Sequence, residues 1–332
     1  MKKVRSALVL AMCGVALAAL RPTDANACGR FGRTANSPIR VDFEEALIVW
    51  DAAHQTEHFI RSASFLGVNS DFGFVVPTPS QPTMTEIDEA VFRTLAEIYT
   101  RPTPAEQGDA MGGLGVARGG GDARARPQVT VVATQYVAGM DATVLRANDA
   151  GALAQWLSRH GLATPPGTTA WLAPYVRDGW YLTAFLYHPA RGRQDLVNRA
   201  VRMSFHTDRP FFPYSEPANQ RQRPGRRFRV TVVADTRMDA FVGAQPWSAR
   251  VGFAGRTASA DRILGPRVPD EAWNASSWFT TFEETNSIRG REELYFRTAT
   301  TTATVPPSID FFRTDGAATQ RTRARTRGGP SR

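Results

Sequence analysis

The sequence predicts a strand-rich α+β fold, with mixed and antiparallel sheets and a few short helices. Short runs of β-branched and aromatic residues recur, bounded by Gly, Pro, Asn and Asp. Stretches with apolar residues at helical spacing are few and short. Strands and helices do not alternate with a βα period, and no internal repeat is visible, which argues against a doubly wound parallel sheet. Hydrophobic residues at 42% and aromatics at 10% are enough for a proper core.

The elements follow in order. Residues 44–66 read as a β-hairpin: Ala46 to Trp50 form a buried run, Asp51 to Gln55 turn, and Thr56 to Phe65 return. A strand over Phe72–Val76 is expected to end or become an edge at Pro77, which cannot donate to a ladder. Period two places Phe72, Phe74 and Val76 on one face, toward the core. A helix is expected over Glu86–Tyr99, capped by Thr85, with Ile87, Val91, Leu95 and Ile98 on one face.

Residues 101–127 are rich in Gly, Pro, Ala and Arg and read as a flexible insertion. A strand opens at Val129, runs to about Val137, and turns through Ala138–Asp141 into Thr143–Leu145. Asn148 or Asp149 caps a helix carrying Leu153, Trp156 and Leu157, which Gly161 ends. A short helix over Thr169–Val176 closes at Gly179. Further strands are read at Trp180–Tyr187, Val201–Phe205, Phe228–Ala234, Trp278–Glu283 and Glu293–Thr298, the last two joined as a hairpin through Asn286–Arg291.

The N-terminus reads as a secretory signal. Lys2, Lys3 and Arg5 precede an apolar run from Ala7 to Leu20, and Ala25-Asn26-Ala27 offers a small-x-small cleavage pattern. The run is too short to span a bilayer, and no later stretch is long enough, so the mature chain is expected to have no transmembrane span. The expected organisation is a signal peptide at 1–27, one α+β domain at 28–314, and a disordered Arg-rich tail at 315–332. The expected location is periplasmic, cell-surface or secreted. Ordinary cleavage is favoured over lipidation of Cys28, because Ala25 stands where a lipobox carries a leucine-like residue. Losing Cys13 with the signal leaves Cys28 alone, so no intrachain disulfide is available.

Lys2 and Lys3 are the only lysines, so lysine-based catalysis is excluded from the mature chain. Removing Lys2, Lys3, Arg5, Arg21 and Asp24 with the signal lowers the net charge from +9 to +6. Arg321, Arg323, Arg325, Arg327 and Arg332 supply most of what remains. The basic character is therefore a property of the tail and not of a nucleic-acid groove, and no nucleic-acid partner is expected. The expected partner is an anionic envelope polymer or another envelope protein, with Arg321, Arg323, Arg325 and Arg327 as candidate contacts.

Several segments carry a resemblance in order. They are Ala27-Cys28-Gly29, Glu45-Ala46-Leu47-Ile48-Val49-Trp50-Asp51, Asp71-Phe72-Gly73-Phe74-Val75-Val76-Pro77-Thr78-Pro79, Trp156-Leu157-Ser158-Arg159-His160-Gly161 and Tyr175-Val176-Arg177-Asp178-Gly179-Trp180. Over roughly residues 27–300 the chain resembles the bacterial family called domain of unknown function 2330 (DUF2330). The resemblance implies export and a shared fold. It implies no mechanism, because the family has no established activity.

Candidate chemistry is sparse. His54 and His58 are the best metal candidates, but along a strand four residues span about 13 Å, too far for one ion. His206 and Asp208 share a side of an extended segment, without a Gly-x-Ser-x-Gly nucleophile. Glu44/Glu45, Glu283/Glu284 and Glu292/Glu293 are neighbouring acids. On a strand they point to opposite faces, so each pair is expected to hold one solvated and one paired acid. Trp247, Trp273 and Trp278 are a candidate glycan platform, with core packing as the simpler reading. No cofactor is expected, and the catalytic residues of any enzyme are unknown. A non-catalytic binding or structural protein is favoured, with a hydrolase of an envelope polymer as the alternative.

Overall fold

The computed structural model describes residues 29–32, 43–62, 72–98, 128–187, 199–218, 227–285 and 289–307. The signal segment, the 101–127 insertion and the arginine tail lie outside them.

The first half contains strands β1 (Gly29–Gly32), β2 (Phe43–Asp51), β3 (Thr56–Ser62), β4 (Phe72–Thr78) and β5 (Thr83–Asp88), then helix α1 (Ala90–Ala96). Strands β6 (Val129–Val137) and β7 (Met140–Ala147) lead to helices α2 (Ala150–Arg159) and α3 (Thr168–Arg177). Then come β8 (Tyr181–Tyr187), β9 (Arg199–His206), β10 (Phe211–Phe212), β11 (Arg227–Ala234), β12 (Met238–Val242), β13 (Gln245–Pro246) and β14 (Arg250–Gly255). Helix α4 (Ala260–Leu264), β15 (Trp278–Thr285) and β16 (Leu294–Thr298) complete the order. The strand-rich α+β reading is met.

The strands form three sheets: a seven-stranded one in the order β14-β15-β11-β2-β3-β9-β5, a five-stranded one β1-β4-β8-β7-β6, and a four-stranded one β10-β16-β12-β13. All ladders are antiparallel except β2 with β11, which run parallel from Phe43↔Arg227 to Val49↔Val233. The main core lies between the sheets. It joins Ala46, Ile48 and Phe59 of the largest sheet to Phe72, Phe74 and Phe185 of the second, and to Phe212, Met238 and Phe296 of the third. The other face of the largest sheet buries Leu47, Val49 and Ile60 under Val91 and Leu95 of α1 and Ile263 and Leu264 of α4. Helices α2 and α3 cover Val75, Leu145 and Leu182 on the outer face of the five-stranded sheet.

Most local signals act as expected. The hairpin expected over 44–66 is β2–β3, its residues 63–66 lying outside the described ones, and Gln55 takes a positive φ of 47° in its loop. Ala138 and Gly139, both at positive φ, form the two-residue turn between β6 and β7. Asp149 caps α2 by accepting from the Ala152 N–H at 2.6 Å, and Gly161 and Gly179 end α2 and α3 at positive φ. Phe72, Phe74 and Val76 are buried, and so is every other residue of β4, because that strand has a packed layer on each side. Gly73 is required there. A Cβ at Gly73 would lie 2.3 Å from the Phe185 backbone oxygen.

Two expectations are corrected. The helix read from Glu86 begins only at Ala90, because Thr83–Asp88 pair with β9 as a strand and Asp88 accepts from the Ala90 N–H at 2.8 Å. Strand β4 runs on through Pro77, which pairs with Leu182 of β8, and is an edge there, the second of the two outcomes the proline allows. Strand β1 reaches only Val75, so no β1 ladder bond is lost at the proline. Strands β15 and β16 are not a hairpin. They belong to different sheets, with β15 between β14 and β11 and β16 between β10 and β12.

Candidate functional site

The functional-group chemistry of the described residues concentrates where β2, β11 and β15 run side by side. Both faces of this sheet are covered, so the neighbouring acids do not divide into one solvated and one paired. Glu44, Glu45, Glu283 and Glu284 are all buried.

On the face toward α1 and α4, register alone builds a charged row. Arg229 stands opposite Glu45 in β2 and opposite Glu283 in β15, and Arg250 of β14 stands opposite Glu283. Arg229 donates from Nη1 to Glu45 Oε1 at 3.5 Å and from Nη2 to Glu283 Oε1 at 3.0 Å. Arg250 Nη2 reaches Glu283 Oε2 at 2.5 Å. Negative and positive side chains thus alternate across four adjacent strands, each charge flanked by its opposite. The β14 bulge holds Gly252 against the carboxylate, where a Cβ would come within 2.6 Å of the Glu283 carboxyl carbon. Burial raises the Glu45 carboxyl to about 7, against the lowering effect of Arg229.

On the face toward the other sheets, Arg289 is fully buried. It bonds Glu44 Oε2 at 3.0 Å and lies 3.6 Å from Glu216 Oε1. Its guanidinium sits 4.5 Å from the ring centres of both Tyr214 and Phe228. Burial opposes its charge, but Glu44 and Glu216 outweigh burial, so its proton is held more tightly than usual. Arg61 Nη2 approaches the other Glu44 oxygen at 3.1 Å. Glu284 Oε1 accepts from the Tyr214 hydroxyl at 2.6 Å and from Trp247 Nε1 at 2.9 Å.

The segment from Phe211 to Glu216 ties these groups to the rest of the molecule. The Phe211 N–H donates to Glu57 Oε2 at 2.9 Å. The Tyr214 and Ser215 N–H groups donate to Glu293 Oε2 at 2.7 and 3.1 Å, and the Tyr175 hydroxyl of α3 donates to Glu293 Oε1. Trp171 Nε1 donates to the Ser215 carbonyl at 3.1 Å. Burial raises Glu293 to about 7 despite those donors. Burial also raises Glu57 well above the carboxylate range, with the Phe211 N–H as its opposing donor.

The residues singled out in the sequence are mostly placed elsewhere. His54 is exposed in the β2–β3 loop and bonds Asp51 through Nδ1 at 2.6 Å. His58 is buried in β3 and bonds the Ser204 hydroxyl at 2.8 Å, and burial first, then Arg202, lowers its pKa to about 4. Among the described residues no group of three or more His, Cys, Asp and Glu is arranged to hold a metal. His206 and Asp208 are both exposed, and His206 accepts from Ser80 through its backbone carbonyl. The tryptophans form no single platform. Trp247 packs in the inter-sheet core, Trp273 packs on the helix side of the largest sheet, and Trp278 lies 5.7 Å from the Arg256 guanidinium. Glu292 is exposed. Arg321, Arg323, Arg325 and Arg327 lie outside the described residues. Arg229, Arg289, Arg61, Glu216 and Glu57 were not anticipated. The signal for Arg229 was in plain view: an arginine within the largely apolar strand Phe228–Ala234 needs a buried acid as its partner.

A family model described as "Uncharacterized protein conserved in bacteria (DUF2330)" matches residues 22–284. The chain belongs to DUF2330. The whole charge row, Glu45, Arg229, Glu283 and Arg250, falls inside that match, whereas Arg289 and Glu293 fall just beyond it. No curated protein matches the sequence significantly. Among solved structures, the crystal structure of baculovirus P35 aligns with a TM-score of 0.40 at 7% identity, over 82% of this chain and all of that one. A mutated baculovirus P35 after caspase cleavage aligns with a TM-score of 0.33 at 7% identity, over 79% of this chain and 97% of that one. Among the described residues no helix is long and apolar enough to cross a membrane.

Proposed function

We propose that this DUF2330 protein is exported and acts by binding an anionic envelope component, not by catalysis. One observation carries the non-catalytic part of the reading. The carboxylates that a hydrolase would need are engaged inside the fold: Glu44 by Arg61 and Arg289, Glu283 by Arg229 and Arg250, and Glu284 by Tyr214 and Trp247. A glycosidase needs two carboxyl groups facing each other across a bound sugar. Here the two acids of each strand pair point to opposite faces, each into its own set of partners. The signal-like N-terminus supports export. The arginines of the tail suit phosphate and carboxylate, the common charges of envelope polymers.

The test is retention on isolated envelope material, with and without residues 316–332, across a salt series. Retention that falls with salt and with loss of the tail supports the reading. Equal retention at low salt removes the tail from the mechanism. Mass spectrometry of the cell-exported chain tests the start expected at Cys28.

A hydrolytic reading has one observation in its favour: Glu293, held near 7 beside the Tyr175 hydroxyl, is in the range of a general acid. Turnover of an envelope polymer by the purified protein, lost in Glu293→Gln with the fold intact, would replace the binding reading.

A further inference from the structure

Strand β6 is the last strand of the five-stranded sheet and, among the described residues, its backbone pairs as a ladder only with β7. On the inner side, the Gln135 amide donates to the Met84 carbonyl of β5 at 3.3 Å and the Ala138 N–H to Glu86 at 2.8 Å. Its sequence, Val-Thr-Val-Val-Ala-Thr-Gln-Tyr-Val, runs nine residues without a charge or a proline. Proteins usually guard a sheet edge by keeping it short, charged or covered. The other edges of the described sheets follow that rule. Strand β5 carries Glu86 and Asp88, β1 is four residues long, and β10 and β13 are two residues each. Strand β14 opens with Arg250 and is bridged at Ala254 by Val305. Strand β6 is long and neutral, and it carries the exposed large hydrophobic residues Val131, 47% exposed, and Tyr136, 73% exposed.

The bulge in β6 makes this edge complementary to itself. Residues five apart on a regular strand point to opposite faces. Here the register shifts between Val131 and Ala133, so Val131 stands opposite Leu145 and Tyr136 opposite Asp141. Leu145 and Asp141 are four apart on β7, so Val131 and Tyr136 share a face, and Thr134, opposite Thr143, shares it too. We propose that two copies of this chain pair antiparallel through β6 about a twofold axis at Thr134, joining two five-stranded sheets into one.

In that register Thr134 meets its own copy. Ala133 meets Gln135 of the other copy, and Val131 meets Tyr136 of the other copy. Val132 is left out as the bulged residue on both sides. The twofold makes the Val–Tyr pair twice, each a β-branched residue against an aromatic one on the same face. Neither strand brings a charge against the other, so the pairing is electrostatically matched.

The test uses the full chain with C13S and C28S, so that an added cysteine is the only thiol. Sedimentation is expected to show a concentration-dependent dimer. Thr134→Cys is expected to form a covalent dimer on mild oxidation, because directly opposed residues lie about 4.5–5.5 Å apart between Cα atoms, within disulfide reach. Thr130→Cys, near the strand end and far from its own copy, is expected to form none. Tyr136→Arg is expected to weaken the dimer by at least about tenfold, with unchanged circular dichroism and melting. A monomer at every concentration overturns the proposal, including one that instead accepts a foreign peptide strand at this edge. So does equal cross-linking through residues 130 and 134. If Tyr136→Arg failed to fold, the contrast between the two cysteine variants would still decide.

Discussion

Arg229 and Glu283 face each other on adjacent strands, guanidinium to carboxylate at 3.0 Å, with both side chains removed from water. Arg229 also serves Glu45 on its other side, so one cation holds two acids within the centre of the sheet. Arg229→Leu takes from buried Glu45 its arginine partner and leaves Glu283 with Arg250, and is expected to destabilise the fold by about 3–5 kcal/mol. Urea unfolding of the variant measures it. A loss near zero would mean that the row is not structural.

Gly73→Ala places a methyl group against backbone, which cannot rotate away as a side chain can. The Phe185 oxygen would be 2.3 Å from the new carbon. Overpacking of this kind is expected to destabilise by about 1–3 kcal/mol or more. Thermal melting of this variant beside Gly139→Ala gives the comparison, because a Cβ at Gly139 meets open space and the strain there comes only from a positive φ.

Phe74 is buried between sheets, stacked on Phe185 with ring centres 4.8 Å apart. Phe74→Ala is expected to cost about 3–5 kcal/mol through lost burial and the cavity left behind. An unfolding midpoint unchanged from wild type would place Phe74 outside the core.

The buried carboxyls fix the sign of the pH dependence. Glu45 and Glu293 titrate near 7 in the fold against 4.5 ordinarily, and Glu57 is shifted the same way. Between those values the folded protein holds protons that the unfolded chain has released. Their contribution to stability is therefore full below the unfolded value and is lost as pH rises through the folded one. Each such group changes the unfolding free energy by about 1.4 kcal/mol per pH unit within its window. Glu57→Gln keeps an acceptor for the Phe211 N–H and is expected to flatten the fall, becoming more stable than wild type at alkaline pH. Denaturation midpoints from pH 5 to 9 test this, and an unchanged slope in the variant would exclude Glu57 as a contributor.

What the sequence disclosed followed the range of the interactions. The β2–β3 hairpin, the Ala138-Gly139 turn and the Asp149 cap rest on a few contiguous residues, and all were legible. Strand β5 was not. Its Glu86 and Asp88 looked like the first turn of a helix, and Ile87, Val91 and Leu95 kept a spacing of four across a strand-to-helix junction. The short strands β10, β12, β13 and β14 carry too few residues to show a period. The charge row was hidden for another reason. Glu45, Arg229 and Glu283 come together only through the register of three strands distant in the chain, and the rule that one of two neighbouring acids faces water fails where both faces of a sheet are covered.

The parallel pairing of β2 with β11 sets the order in which the molecule can be completed. Residues 43–49 wait for partners at 227–233, on the far side of most of the chain. A chain synthesised from its N-terminus can close the β2–β3 hairpin early, but the other edge of β2, rich in Leu, Ile and Val, stays open until β11 has emerged. Closing so long a loop is slow compared with forming hairpins. For that interval the growing chain presents an adhesive strand edge. The yield of native protein is then governed by how long that edge is shielded during synthesis, and a chain cut short before residue 227 never loses it.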